Sequence, residues 1–315
     1  MRSLITLMAA ISAACGLSLV ACSSTRIGLE TAAAKALVSD DDEKQLGLQV
    51  KQELAEARRK KKEEAIAAIQ AIEQRLGPLD RIEAGVLVDL LLSYRAVSAW
   101  NEMVRFAEQF ADPLRRTPLV QEQLAFGLNR AGRGEAAEQV LLKLIETRGP
   151  SSETYGLLGR VYKDRWEAAA TAGDAFLARG LLDKAIEAYV KGFEADWRDA
   201  YPGVNAVTLM TVKNPPDARA GALLPVVRYA VERKIASGKP DYWDYATLVE
   251  IAVLEKDEAG AMDALTKALP AIREPWEPKT TARNLQLIRK ARETRNDAPP
   301  WASEIERELA RRAQD

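Results

Sequence analysis

The 315-residue chain is 47% hydrophobic and 29% charged, enough apolar material for one long or two short domains with a buried core. Its 45 basic and 46 acidic residues leave a net charge of -1, so no net basic field draws it onto phosphates and nucleic acid is excluded as an expected partner. It holds no histidine, which removes zincin motifs, Ser-His-Asp triads, Cys-His dyads and histidine proton shuttles, and no catalytic residue, metal site or cofactor is expected.

Met1-Arg2 is a short positive start, and Leu4 to Leu19 is apolar, long enough for a signal peptide (residues 1–21) and short for a stable membrane span. It ends in Leu19-Val20-Ala21-Cys22-Ser23-Ser24, which resembles the bacterial lipobox. That resemblance implies removal of the signal, lipid on Cys22 and attachment to a membrane of the bacterial cell envelope. Ser23 after the cysteine favours the outer membrane facing the periplasm over the inner membrane. The alternative is a buried N-terminal helix that contains a cysteine. The other cysteine, Cys15, lies within the signal, so a chain beginning at Cys22 has no internal disulfide.

Residues 22–39 read as a tether, and residues 40–78 as a charged N-terminal helix. Asp40 to Glu43 put acids in its first turn, and Leu46, Val50 and Leu54 recur at a spacing of four. The run Arg58 to Lys62 is flanked by Glu53, Glu56, Glu63 and Glu64, so i,i+4 pairing on a solvated helix explains it more simply than an anionic surface. Leu37 to Glu53 also resembles the N-terminal segment of secreted zinc peptidases, whose paired metal-binding histidines cannot occur here.

From about residue 81 the pattern predicts paired amphipathic helices: a weak repeat within 79–116, then Leu119–Ala131 with Gly134–Arg148, Tyr201–Val212 with Ala218–Ser237, and Tyr242–Leu254 with Glu258–Ile272. Two capping helices follow Pro275. The small position Ala125 recurs at Gly159, 34 residues on, which is the tetratricopeptide period. The slot for the second helix of that unit (Ala185, Tyr189, Gly192) comes late, so residues 165–181 read as an insertion that lengthens both helices. The expected fold is all-α, a tetratricopeptide-like α-solenoid of antiparallel helix pairs with an extended insertion in one repeat.

Three linked stretches, Glu153 to Asp164 (ETYGLLGRVYKD), Ala185 to Glu194 (AIEAYVKGFE) and Asp199 to Asn205 (DAYPGVN), resemble the TRAFs-binding domain, also described as a tetratricopeptide sensor domain, of apoptosis signal-regulating kinases and bacterial signalling proteins. The likeness covers roughly residues 117–310. It implies a helical sensing module without catalysis that recognises partner proteins or small nucleotide-like signals. The lipobox departs from those relatives, which are cytosolic.

A step of about 100° per residue puts Tyr155, Leu158, Gly159 and Tyr162 on one side of the helix that begins at Ser152. Glu153, Arg160 and Asp164 fall on the opposite side within an arc of about 40°, flanked by Lys163. The inner helix of a tetratricopeptide unit presents such positions to the concave groove. The alternative is a plain exposed i,i+4 pair. Asn129, Arg130 and Asn205 extend the strip as candidate ligand-binding residues. Arginine forks and asparagine amides suit a protein, a peptide or a small anionic ligand. The competing expectation is an envelope assembly scaffold that works through its convex surface or the basic stretch 58–62.

Overall fold

A computed structural model describes residues 41–314; the expected signal peptide, Cys22 and the tether lie outside the described residues. These residues form fourteen α-helices, with three short 3-10 turns and no strand. They divide into two compact units between Gly149 and Pro150. The first unit takes in residues 117–149.

The first unit holds α1 (Asp41–Ala57), α2 (Lys62–Leu76), α3 (Ala84–Ala96), α4 (Trp100–Glu108), α5 (Pro118–Arg130) and α6 (Gly134–Arg148). The helix expected over 40–78 is two helices. Positions 58 and 61 continue the apolar stripe of Val50, Leu54 and Ala57, yet both are cations, so one straight helix would press charge onto α3. The chain breaks there instead. Arg58 turns inward and donates from Nη1 to Asp89 Oδ1 (3.2 Å) and Ser93 Oγ (2.6 Å) on α3. The basic run is thus a corner rather than a solvated helix face. Beyond it α2 buries Ile69, Ile72 and Leu76 in a core that includes Leu90, Leu91, Tyr94 and Phe106.

The second unit holds α7 (Ser152–Thr171), α8 (Ala175–Ala195), α9 (Ala200–Val212), α10 (Arg219–Ala236), α11 (Tyr242–Glu255), α12 (Glu258–Ala268), α13 (Trp276–Glu293) and α14 (Ala302–Arg312). Polar caps set several of the starts: the side chains of Ser151, Asp174, Asp199, Asp241 and Asp257 each accept a backbone N–H of the first turn. The inserted segment does lengthen α7 and α8, which run 20 and 21 residues. Each second helix packs on its own first helix, and the first helices α7, α9, α11 and α13 pack on one another in turn. In addition α9 touches α13, and Lys163 of α7 reaches Asn284 of α13. Arginines near the end of α13 fasten it there: Arg292 donates to the carbonyls of Val253 and Leu254 at the end of α11, and Arg295 to that of Thr211 in α9.

Small residues set the spacing. The ring of Tyr189 lies on Gly159, where an added Cβ would sit 2.7 Å from ring carbons, and Phe193 with Val227 closes on Gly203 in the same way. Gly180 on α8 has open space around it. Gly159→Ala is therefore expected to lose roughly 1–3 kcal/mol through overpacking, whereas Gly180→Ala gains about 0.5–1 kcal/mol from helix propensity. Urea unfolding of the two variants checks the opposite signs.

Candidate functional site

Along α7 the apolar side is as the spacing predicts: Leu158, Gly159 and Tyr162 are buried and Tyr155 is half-buried. On the other side Arg160 Nε donates to Asp164 Oδ1 at 2.9 Å, with the side chains 30% and 28% exposed. Tyr189 and Tyr201, their rings edge to face at 6.2 Å, stand beside this pair, and burial raises both phenols above their ordinary range while the Arg160 charge acts against it. Glu153 is half-buried on the same helix. Three of the seven strip residues thus keep partial access to solvent on α7.

Lys163 does not flank this strip at the surface. It is 5% exposed, and its ammonium donates to Asn284 Oδ1 on α13 at 3.0 Å. Asn284 in turn donates from Nδ2 to Glu250 Oε1 on α11 at 3.0 Å, with Glu250 6% exposed. One amide therefore bridges a buried cation and a buried carboxylate across three helices. Burial, with Arg160 adding to it, brings the Lys163 ammonium down to about 8 against the pull of Glu167 and Glu250. Burial pushes the Glu250 carboxyl up to about 7 although Asn284 and Lys163 act to lower it. A second link joins the same helices, from Arg283 to Glu167. The expectation of an open groove at Lys163 fails because α13 arrives about 120 residues later in sequence and covers it.

Asn205 is also interior. Its amide donates to the Tyr201 carbonyl at 2.9 Å, one turn back on α9, so it closes a local bond where the strip called for an exposed group. Asn129 and Arg130 belong to the first unit. The Arg130 guanidinium lies 5.3 Å over the Trp100 ring, which meets Phe126 edge to face at 5.6 Å. Beneath them the fully buried Arg95 sits 4.4 Å over Phe126 and donates to Gln123 Oε1 at 2.7 Å.

The residues that sequence spacing missed are Glu250, Asn284, Glu167 and Arg283. A signal for Glu250 was present: it is a lone acid inside the apolar run Leu248 to Leu254, on a helix buried on most sides. Nothing local marks Asn284, whose role depends on what faces it.

The family described as the MAP3K TRAFs-binding domain matches residues 21–307. The chain belongs to this family. The match starts well ahead of residue 117, where the motif-based resemblance begins, because the earlier pairs carry weaker small-residue patterning. The chain is 26% identical over 244 residues to mitogen-activated protein kinase kinase kinase 15 of Mus musculus, covering 72% of the chain and 18% of that protein. It is 29% identical over 228 residues to the kinase nsy-1 of Caenorhabditis elegans, covering 65% and 15%. Mitogen-activated protein kinase kinase kinase 5 of Homo sapiens is 22% identical over 245 residues, covering 72% and 17%. The chain thus spans less than a fifth of the length of these relatives. A solved tetratricopeptide repeat protein from Parabacteroides merdae covers 85% of the chain, and the chain covers all of it, at 13% identity and a TM-score of 0.41. A TRAFs-binding domain with this helix-pair architecture is a protein-interaction module.

Asn284→Leu leaves the Lys163 ammonium and Glu250 Oε1 buried without the amide that joins them. A loss of roughly 2–4 kcal/mol in urea unfolding is expected, one desolvation cost for each group.

Proposed function

We propose that the chain is a non-catalytic binding module, held at the bacterial envelope by lipid on Cys22, that takes a protein or peptide partner on the first helices of its pairs. Family membership across residues 21–307 carries this reading, since a TRAFs-binding domain is named for a protein partner. The part-exposed Glu153, Arg160 and Asp164 on α7 offer both charge signs to a peptide. A small anionic or nucleotide-like ligand is the narrower version, in which the part-exposed Arg160 guanidinium faces the anion. The sequence from Leu19 to Ser24 supports the anchor, with the outer membrane facing the periplasm as its destination.

A second reading, an envelope scaffold working through the outer helices, draws on a specific pattern. The large apolar side chains left exposed on helices of the second unit lie on second helices: Phe176 (95% exposed) and Leu177 on α8, Val226 and Tyr229 on α10, and Met262 on α12. In this reading the lengthened α7–α8 hairpin presents Phe176 at its tip.

Arg160→Ala is expected to abolish partner capture while changing unfolding stability by less than about 1 kcal/mol, because it removes one part-exposed i,i+4 pair. Unchanged capture in Arg160→Ala, together with loss in Phe176→Asp, transfers the function to the outer helices. Metabolic labelling with a fatty acid is expected to mark the full chain and to leave Cys22→Ser unlabelled; an unlabelled native chain rules the lipid anchor out.

A further inference from the structure

We propose that the Lys163–Asn284–Glu250 bridge is a proton-operated latch that sets how tightly α13 closes on α7. The inference holds for either partner surface, because it concerns the interior of the second unit. Its geometry is that of a relay between helices far apart in sequence: Lys163 on α7, Glu250 on α11, and between them Asn284 on α13, accepting from the one and donating to the other at 3.0 Å each. The second carboxylate oxygen, Glu250 Oε2, is buried and has no hydrogen-bond partner among the described residues. A proton carried there leaves the Oε1 bond to Asn284 in place while it removes a buried negative charge.

The neighbouring charges are committed elsewhere. On α7, Arg160 pairs with Asp164, and Glu167 pairs with Arg283 of α13. Tyr189 of α8 and Tyr201 of α9 face α7 as phenols that burial keeps protonated. On α11, Tyr242 donates to Thr281 of α13, Asp244 pairs with Lys234 of α10, and Glu255 pairs with Arg228 of α10. Asp263 and Lys267 of α12 pair with each other, Glu277 of α13 pairs with Arg273, and Glu306 of α14 pairs with Arg289 of α13. Asp199, which burial also raises, is bonded to Ser152.

With no histidine in the chain, few groups change charge near neutrality. Glu250 stands at about 7 against an ordinary 4.5, so the closed unit binds the extra proton between those values and its stability falls as pH rises through them. Lys163 stands at about 8 against an ordinary 10.5, so the closed unit binds fewer protons than the open one between those values and stability rises with pH there. The two trends oppose each other, so the latch holds least around neutrality, between the fall set by Glu250 and the rise set by Lys163.

Hydrogen exchange of the full chain at pH 5.5 and 7.5, corrected for intrinsic exchange rates, reads the latch directly. Protection of peptides from 276–293 and 152–171 is expected to fall roughly tenfold between the two pH values, and Glu250→Gln is expected to flatten that fall. Lys163→Met, which removes the cation that holds Glu250 down, shifts the fall to higher pH. Equal pH dependence in the native chain and Glu250→Gln, or an unmoved fall in Lys163→Met, overturns the proposal. Should a variant not fold, the 13C titration of the Glu250 carboxyl in the native chain decides: a midpoint near 7 supports the latch and one near 4.5 overturns it.

Discussion

The close approach of Tyr189 to the backbone at Gly159 is the contact on which the second unit depends. A helix pair can lie this close only where one partner lacks a Cβ, and at Gly159 that partner receives a whole aromatic ring. Setting α8 onto α7 in this way places Tyr189 beside Tyr201 in the first turn of α9, whose start Asp199 caps. Phe193, one turn further along α8, then closes on Gly203 of α9 and hands the same spacing to the next pair. Further along the chain α13 packs on α9 and α11, and its Asn284 reaches Lys163 of α7. The buried bridge is thus a consequence of the packing and also a strain on it, because each charge it holds has left water.

Both units place ionisable groups inside, and each does so at a junction of helices distant in sequence. In the first unit Arg58 crosses from the corner after α1 to Asp89 on α3, and burial raises the Asp89 carboxyl in spite of that cation. In the second, Lys163 and Glu250 share Asn284. Apolar side chains would hold such junctions with less desolvation. Polar ones define register, since a hydrogen bond tolerates less displacement than a methyl contact.

Much of the helix order was legible because amphipathic spacing and capping residues are local. The 34-residue step from Ala125 to Gly159, the late slot at Tyr189 and the lengthened hairpin all follow from short-range pattern, and the helices begin and end within a few residues of where caps and apolar stripes put them. The corner at residues 58–61 was legible too, in two cations on an apolar stripe, but flanking acids made a continuous helix look sufficient. Lys163 and Asn205 show the limit of a helical wheel. The wheel gives the direction of a side chain on its own helix and says nothing of the helix that later covers it. Glu250 and Asn284 join the site only through the third dimension, and the pair they serve lies on opposite sides of three intervening helices in sequence.

Two sets of residues compete as the proposed partner surface: the part-exposed charges of α7 and the exposed apolar side chains of α8, α10 and α12. The most direct measurement is a photocrosslinking scan of the full chain in living cells, with the reactive residue placed in turn at each exposed position of the second unit. Adducts to one protein are expected to cluster around Glu153, Arg160 and Asp164 on α7. Adducts spread evenly over all helices, or confined to positions such as Phe176 and Tyr229, contradict that expectation.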